Sequence, residues 1–354
     1  MKCKLSDICY YVKGKVDVES LTENNYISTE NMIPNRGGVT STSSMPTILQ
    51  TQIYQRNDVL VSNIRPYFKK IWFAENDGGC SNDVLVFRAK EGVNSQYLYY
   101  VLADNAFFDY SMATSKGTKM PRGDKRALMQ YHVPNFTYEE QKKIADILAV
   151  LDKKIQLNVK INNHLEQVAQ TLFADMFPDI FCPGSSITLQ KLITFSNGQK
   201  RPGTSGNIPV YGGNGILAYT DQANAENCVI IGRVGAYCGN TFLCLGECWT
   251  SDNAIQAKSK YESSPLFIYY LLKNASLPSR HIGTSQPLMT QGILNAIPIH
   301  EPSVKMISNF ISKCEPIHQL ISANESENLE LSFLRDALLP KLMSGELDVS
   351  DIDF

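Results

Sequence analysis

The chain contains itself twice, so whatever it folds into must build one architecture two times over. Asp58-Val-Leu-Val-Ser-Asn-Ile-Arg-Pro-Tyr67 pairs with Cys228-Val-Ile-Ile-Gly-Arg-Val-Gly-Ala-Tyr237 at an offset of 170 residues. Without a gap, the same offset carries Ser81-Asn82-Asp83 onto Ser251-Asp252-Asn253 and Tyr97-Leu-Tyr-Tyr-Val-Leu102 onto Phe267-Ile-Tyr-Tyr-Leu-Leu272. Farther on, Gly117-Thr118 and Pro121 match Gly283-Thr284 and Pro287 at an offset of 166. The residues between these matches differ greatly. One architecture with two surfaces suits two readers of two ligands; a duplication that merely enlarges a core is the competing reading.

A helical run follows each copy. Thr137-Tyr-Glu-Glu140 has the form of a capping box, and apolar residues at Ile144, Leu148, Leu151, Ile155, Leu165 and Leu172 continue a seam until Phe177-Pro178. The second run carries Phe310, Cys314, Ile317, Ile321, Leu331, Leu338 and Leu342 and stops before Gly345. Asn158 and Asn162 fall on Asn324 and Asn328 at the 166 offset, all four at seam positions. Buried asparagines cost stability but fix the register of paired helices, and an antiparallel pair would bring all four together at its centre. On a wider amphipathic helix they would face solvent instead. Pro316 predicts a kink or restart near the beginning of the second run. Pro302-Ser303-Val-Lys-Met306, where the first copy has Thr137 to Gln141, predicts the loss of the capping box there. About 30 residues at 1.5 Å each would span roughly 45 Å, more than the roughly 34 Å of one DNA turn, so such a spacer could act as a ruler.

These runs divide the chain into residues 1–138, 139–177, 178–302 and 303–354, with net charges of +3, −1, +1 and −5. Only the two larger pieces lean towards binding an anion. Strand-like runs at Asp58–Val61, Val84–Phe87, Ile208–Tyr211 and Val229–Ile231, with short helices at Ser95–Asp104 and Ser264–Asn274, make each larger piece a mixed α+β domain. No apolar signal core or membrane-length apolar run is present, which makes the cytoplasm the expected location. The nine cysteines, an odd number, read as free thiols.

Tyr26-Ile-Ser-Thr-Glu-Asn-Met32 with Pro34 and Gly37-Gly38, Ser62-Asn-Ile-Arg-Pro-Tyr-Phe68, and Glu139-Glu-Gln-Lys-Lys-Ile-Ala-Asp-Ile-Leu148 closely resemble specificity subunits of type I restriction-modification systems. So do Pro209-Val-Tyr-Gly-Gly-Asn-Gly215, Ile230-Ile-Gly-Arg-Val-Gly235 and Leu334-Arg-Asp-Ala-Leu-Leu-Pro-Lys-Leu-Met-Ser-Gly-Glu-Leu347. The resemblance implies an α+β fold: target-recognition domains at 1–138 and 178–302, joined by two long antiparallel helices forming a coiled-coil-like spacer. It also implies that each domain reads one half of a split, asymmetric double-stranded DNA site. The helices would dock two methyltransferase subunits, with restriction/motor subunits joining in the full complex. S-adenosylmethionine, ATP and Mg²⁺ would then belong to the partners, and no cofactor to this chain. The missing second capping box puts equal docking of the two methyltransferase copies in doubt.

Lys116, Thr118, Lys119, Arg122, Lys125 and Arg126 gather in one loop-like stretch that an ordinary solvated loop would also explain. Lysine and arginine neutralise phosphates, and arginine can grip guanine bidentately. The matching second stretch offers Arg280, Ser285 and Gln286, the last suited to an adenine edge. Arg65, Lys69 and Lys70, and Lys200, Arg201 and Arg233, are further phosphate or base candidates. Tyr67 and Tyr237 read as shared core or groove-wall residues, and Tyr99, Tyr100, Tyr269 and Tyr270 as helix packing.

Catalytic motifs are missing. The glycines at 212, 213, 215, 232 and 235 fit neither G-x-G-x-x-G nor a P-loop. Cys228, Cys238, Cys244 and Cys248 lack C-x-x-C spacing, and their 170-offset partners, Asp58, Phe68, Ala74 and Gly78, are no ligand set, so no metal is expected. The chain has no Pro-Pro and therefore no Asn/Asp-Pro-Pro-aromatic motif of adenine methyltransferases. Two other readings stay open: a DNA-modifying enzyme with an unfamiliar site in one copy, and an adaptor whose domains bind proteins.

Overall fold

A computed structural model describes residues 2–349 apart from 118, 185, 262, 263 and 284. The chain forms two compact units, Met1–Leu157 with Glu327–Phe354, and Asn158–Ser326. The unit boundaries fall inside the long helices Tyr138–Met176 and Val304–Ser344, so each unit owns one half of each helix.

In the first unit, an antiparallel sheet runs in the order Cys9–Tyr11, Val84–Ala89, Val59–Ser62, Ile71–Phe73. A second sheet holds Lys15–Asp17, Gln50–Tyr54, Gly78–Cys80 and Tyr26–Ile27, with Tyr26 and Ile27 parallel to Gly79 and Cys80. The second unit repeats the first order with Ile193–Asn197, Ala254–Ser259, Ala225–Gly232 and Thr241–Thr250, then extends the sheet through Ile208–Gly212 and Gly215–Thr220. There Val210 and Tyr211 run parallel to Trp249 and Thr250, which are the 170-offset partners of Gly79 and Cys80. The repeat read in the residues is therefore a repeat of strand order and register. The short helices Ser95–Ala103 and Leu266–Asn274 also correspond.

Each domain core closes on helix halves from its own unit. Tyr97, Leu98 and Phe107 pack in one cluster with Ile144, Leu148, Leu339 and Leu342. Phe267, Tyr270 and Leu271 pack in another with Phe173, Phe177, Phe310 and Cys314. Burying such large aromatic and aliphatic side chains is each domain's main source of stability. In both units the helix halves run antiparallel, with Lys154 paired to Glu327 in the first and Asn162 to Asn324 in the second.

The first long helix opens on the expected reciprocal cap: Thr137 N donates to Glu140 Oε2 at 2.7 Å and Glu140 N to Thr137 Oγ1 at 3.3 Å. The second lacks the full box, as the residues predict, but keeps half of it: Ser303 Oγ accepts from Met306 N at 3.3 Å. Only the reciprocal carboxylate half is missing, since Met306 cannot supply it. Pro316 does not end or restart the helix, which runs through it as one element from Val304 to Ser344. The proline sits on an exposed face, where the carbonyl it deprives of a partner can be met by water. The helices, of 39 and 41 residues, are longer than the expected 30 because the flanks beyond the apolar seam are helical too. Among the described residues, no helix is long and apolar enough to cross a membrane.

Candidate nucleic-acid interface

The two basic or polar stretches fold into the same small device. Lys116 and Arg122 exchange backbone hydrogen bonds at 2.9 and 3.0 Å, closing a hairpin over 116–122. Ile282 and Leu288 do the same at 3.0 and 2.9 Å. Each hairpin docks on a turn from its own sheet: Arg65 N donates to Pro121 O at 2.8 Å, and its equivalent Gly235 N to Pro287 O at 2.9 Å. Gly123 N reaches Asn63 O, and Met289 N reaches Arg233 O. Gly117 and Gly283 both turn through the left-handed region, at φ 91° and 83°. In the second hairpin a Cβ there would meet Gln286 O at 2.7 Å, so glycine is required for the close approach.

On this shared backbone the side chains diverge. The first hairpin exposes Lys119 and Met120 at its tip, and the second exposes Ser285 and Gln286. Thr118 lies outside the described residues. Several candidate cations are tied to their own domain. Lys116 pairs with Asp124 at 2.6 Å and Arg122 with Asp83 at 3.0 Å. Asp124 is held down to about 2 by its bond from Lys116 and by the backbone N–H groups of Ala127 and Arg126, whose helix it caps. Lys69 donates to Asn105 Oδ1 and Lys70 to Thr29 O. Arg233 donates to Asp252 O and Arg280 to Ala275 O. Lys119, Lys125, Arg126, Lys200 and Arg201 are exposed, with no ion pair among the described residues.

Like Lys69, which is left-handed at φ 51° opposite Gly239 at φ 88°, Arg65 stands where the other copy has a glycine. Its backbone stands at φ 52°, a conformation unfavourable to a residue with a Cβ, while its structural equivalent is Gly235 at φ 75°. Its Nε is buried without a hydrogen-bond partner, and its side chain borders a hollow lined by Ser62, Phe68, Lys70 and Met120. Strain retained where glycine is used in the other copy marks a position where the side chain matters.

Tyr67 and Tyr237 are 46 and 48% exposed beside these turns, which excludes the core reading for both. Each stands two residues after a left-handed position, Arg65 or Gly235, and their equivalence at the 170 offset was the signal that they share one setting. Arg36, which sequence reasoning passed over, is a cation turned inward: it donates to Ala103 O and Asn105 Oδ1 and pairs with Asp336. Of the four seam asparagines, Asn324 Nδ2 donates to Asn162 Oδ1 at 2.7 Å, and Asn162 Nδ2 donates to Ile321 O. Asn158 is buried in the second unit, and Asn328 is half-buried in the first. Tyr97, Tyr100 and Tyr270 are buried in the helix packing.

Comparison with known proteins places this geometry. The family described as Type I restriction modification DNA specificity domain matches residues 1–167 and 191–330. The MjaIX type I restriction enzyme specificity subunit of Methanocaldococcus jannaschii is 24% identical, with 95% of this chain and 88% of that protein aligned. The HindI specificity subunit of Haemophilus influenzae is 28% identical over 49% of this chain and 40% of its own length. Among solved structures, the S subunit of a type I restriction-modification system from M. genitalium shares the fold. It has a TM-score of 0.57 and 17% identity, covering 97% of this chain and 96% of that one.

Proposed function

The chain belongs to the type I restriction-modification DNA specificity family, and we propose that it directs partner enzymes to a bipartite, asymmetric site on double-stranded DNA without doing chemistry itself. One observation carries this reading: the same hairpin-on-turn device is built twice from equivalent backbone bonds, yet presents Lys119 and Arg65 in one copy and Ser285, Gln286 and Arg233 in the other. Equal scaffolds with unequal side chains are what reading two different half-sites requires, since base edges are distinguished by donor and acceptor placement. Exposed Lys125, Arg126, Lys200 and Arg201 would supply sequence-independent phosphate contacts that position each domain.

In this proposal the long helices dock two methyltransferase subunits, and restriction/motor subunits complete the cytoplasmic assembly. Adenine methylation with S-adenosylmethionine, and cleavage with ATP and Mg²⁺, then belong to those partners. The experiment is co-expression with the cognate methyltransferase subunit and mapping of adenine methylation across host DNA by single-molecule sequencing, beside a control lacking this chain. A split asymmetric motif appearing only with the chain supports the reading. A complex that forms without any new motif, or a purified chain that methylates DNA alone, overturns it.

A further inference from the structure

The second unit holds a cysteine cluster that the first does not share. Cys228 lies opposite Cys244 across the antiparallel pairing of Ala225–Gly232 with Thr241–Thr250. The register slips between Glu226 and Cys228, with Asn227 at φ 44° and Gly246 at φ 102°. Around this irregularity three thiols converge: Cys228 Sγ and Cys248 Sγ stand 3.9 Å apart, and all three sulfurs lie within 4.8 Å of one another. They are buried among Ala225, Ile230 and Ala254, beside Tyr211 and Phe242.

Metal–thiolate bonds of about 2.3 Å put the sulfurs of a tetrahedral zinc site about 3.8 Å apart. Cys228 and Cys248 already stand at that spacing, and the third sulfur need move by no more than about 1 Å. Spacing along the chain argued against a metal because the ligands come from a bulged strand pair and not from a C-x-x-C knuckle.

We propose that Cys228, Cys244 and Cys248 bind one thiophilic metal ion, Zn²⁺ or Cu⁺, as a three-sulfur site peculiar to the second recognition domain. On binding, three S–H bonds are replaced by three metal–sulfur bonds and three protons leave to solvent, with no change of oxidation state. Cu⁺ is satisfied by three soft sulfurs, whereas Zn²⁺ takes a fourth ligand. The ion staples the bulge, whose Asn227 and Leu245 line the same hollow as Glu315, Gln319 and Ser322 of the second long helix.

The test uses the full chain, purified from metal-replete cells, with zinc and copper counted by mass spectrometry, followed by Co²⁺ titration of the metal-stripped protein. About one equivalent of zinc or of copper is expected, the ratio identifying the ion, together with a sulfur-to-cobalt charge-transfer band. Cys248→Ser should reduce metal retention roughly tenfold or more. Cys238→Ser, which alters a buried thiol outside the cluster, should leave it unchanged. Cadmium NMR on the unaltered chain reports the number of sulfur ligands should Cys248→Ser fail to fold. Metal far below one equivalent with no charge-transfer band overturns the proposal, as does a Cys228–Cys248 disulfide in the protein as isolated.

Discussion

The Tyr270 hydroxyl lies 2.8 Å from His318 Nε2, the residue that the 166 offset equates with Asp152, which accepts from the Tyr100 hydroxyl at 2.8 Å in the first repeat. The same tyrosine thus ties each short helix to a long one, but to groups of opposite character. In the first unit Arg335 completes the contact with Asp152. In the second the acid is Glu166, accepting from Tyr269 and Tyr270 at 3.0 Å each and from Lys273. Each domain is therefore anchored by its own charge arrangement on a common aromatic frame.

This difference gives the second unit a pH dependence. Burial pushes His318 below its ordinary value, with Glu166 opposing and Lys273 assisting. Burial works to raise Glu166, but Lys273 and the two tyrosines hold it below the usual carboxylate range. For both groups the unfolded chain binds more protons, so stability falls on acidification. The His318 contribution is full above its unfolded value of about 6.5 and fades as pH drops below that, while Glu166 adds its loss below about 4.3. Thermal midpoints should fall between about pH 7 and pH 5, and His318→Gln should flatten that part of the profile. An unchanged slope in the variant would remove His318 as the cause.

Exchanging the two anchors should expose their incompatibility. His318→Asp sets a second carboxylate beside Glu166 at a buried position and should cost about 2–4 kcal/mol. Adding Glu166→Ser, the residue found at the equivalent position 332, removes the repulsion and should recover most of the loss. Denaturant midpoints of the two variants decide this; equal midpoints would mean that the carboxylates do not interact.

Arg65 should separate folding from recognition. Arg65→Gly relieves the left-handed strain and should raise stability by up to about 1 kcal/mol. The same change removes the guanidinium and, if Arg65 reads a base, should relax one position in one half-site, worth about 1–3 kcal/mol of discrimination. Methylation mapping with the variant complex is the readout. A wild-type motif in a chain that is more stable would assign Arg65 no part in recognition.

The offset alignment carried much of the fold because duplicated backbones keep their register. It matched Gly79 to Trp249 and Arg65 to Gly235, and both equivalences reappear in the pairing and the turns. The alignment also held an unread sign, for a glycine opposite an arginine points to a positive φ. Partners that depend on three-dimensional placement were not legible. Lys116 is spent on Asp124 and Arg122 on Asp83, so counting cations overstated the free charge of that loop. The meeting of Cys228, Cys244 and Cys248 depends on a one-residue slip between strands, which no local spacing encodes.

The Asn162–Asn324 bond offers the last test, because it should be a device for register more than for strength. Asn324→Ala removes the donor to Asn162 Oδ1 in a partly buried seam and should cost about 1–2 kcal/mol, the penalty of a polar group left without its partner. Replacing both asparagines by leucine removes the penalty along with the bond, so denaturant stability should return to the wild-type value or exceed it. What the double variant should lose is uniqueness: a leucine pair accepts neighbouring alignments that an amide pair rejects. Hydrogen exchange should then become faster and heterogeneous at the backbone amides around residues 158–166 and 320–326, despite the higher denaturant midpoint. Wild-type exchange in a more stable double variant would show that the surrounding apolar seam sets the register by itself.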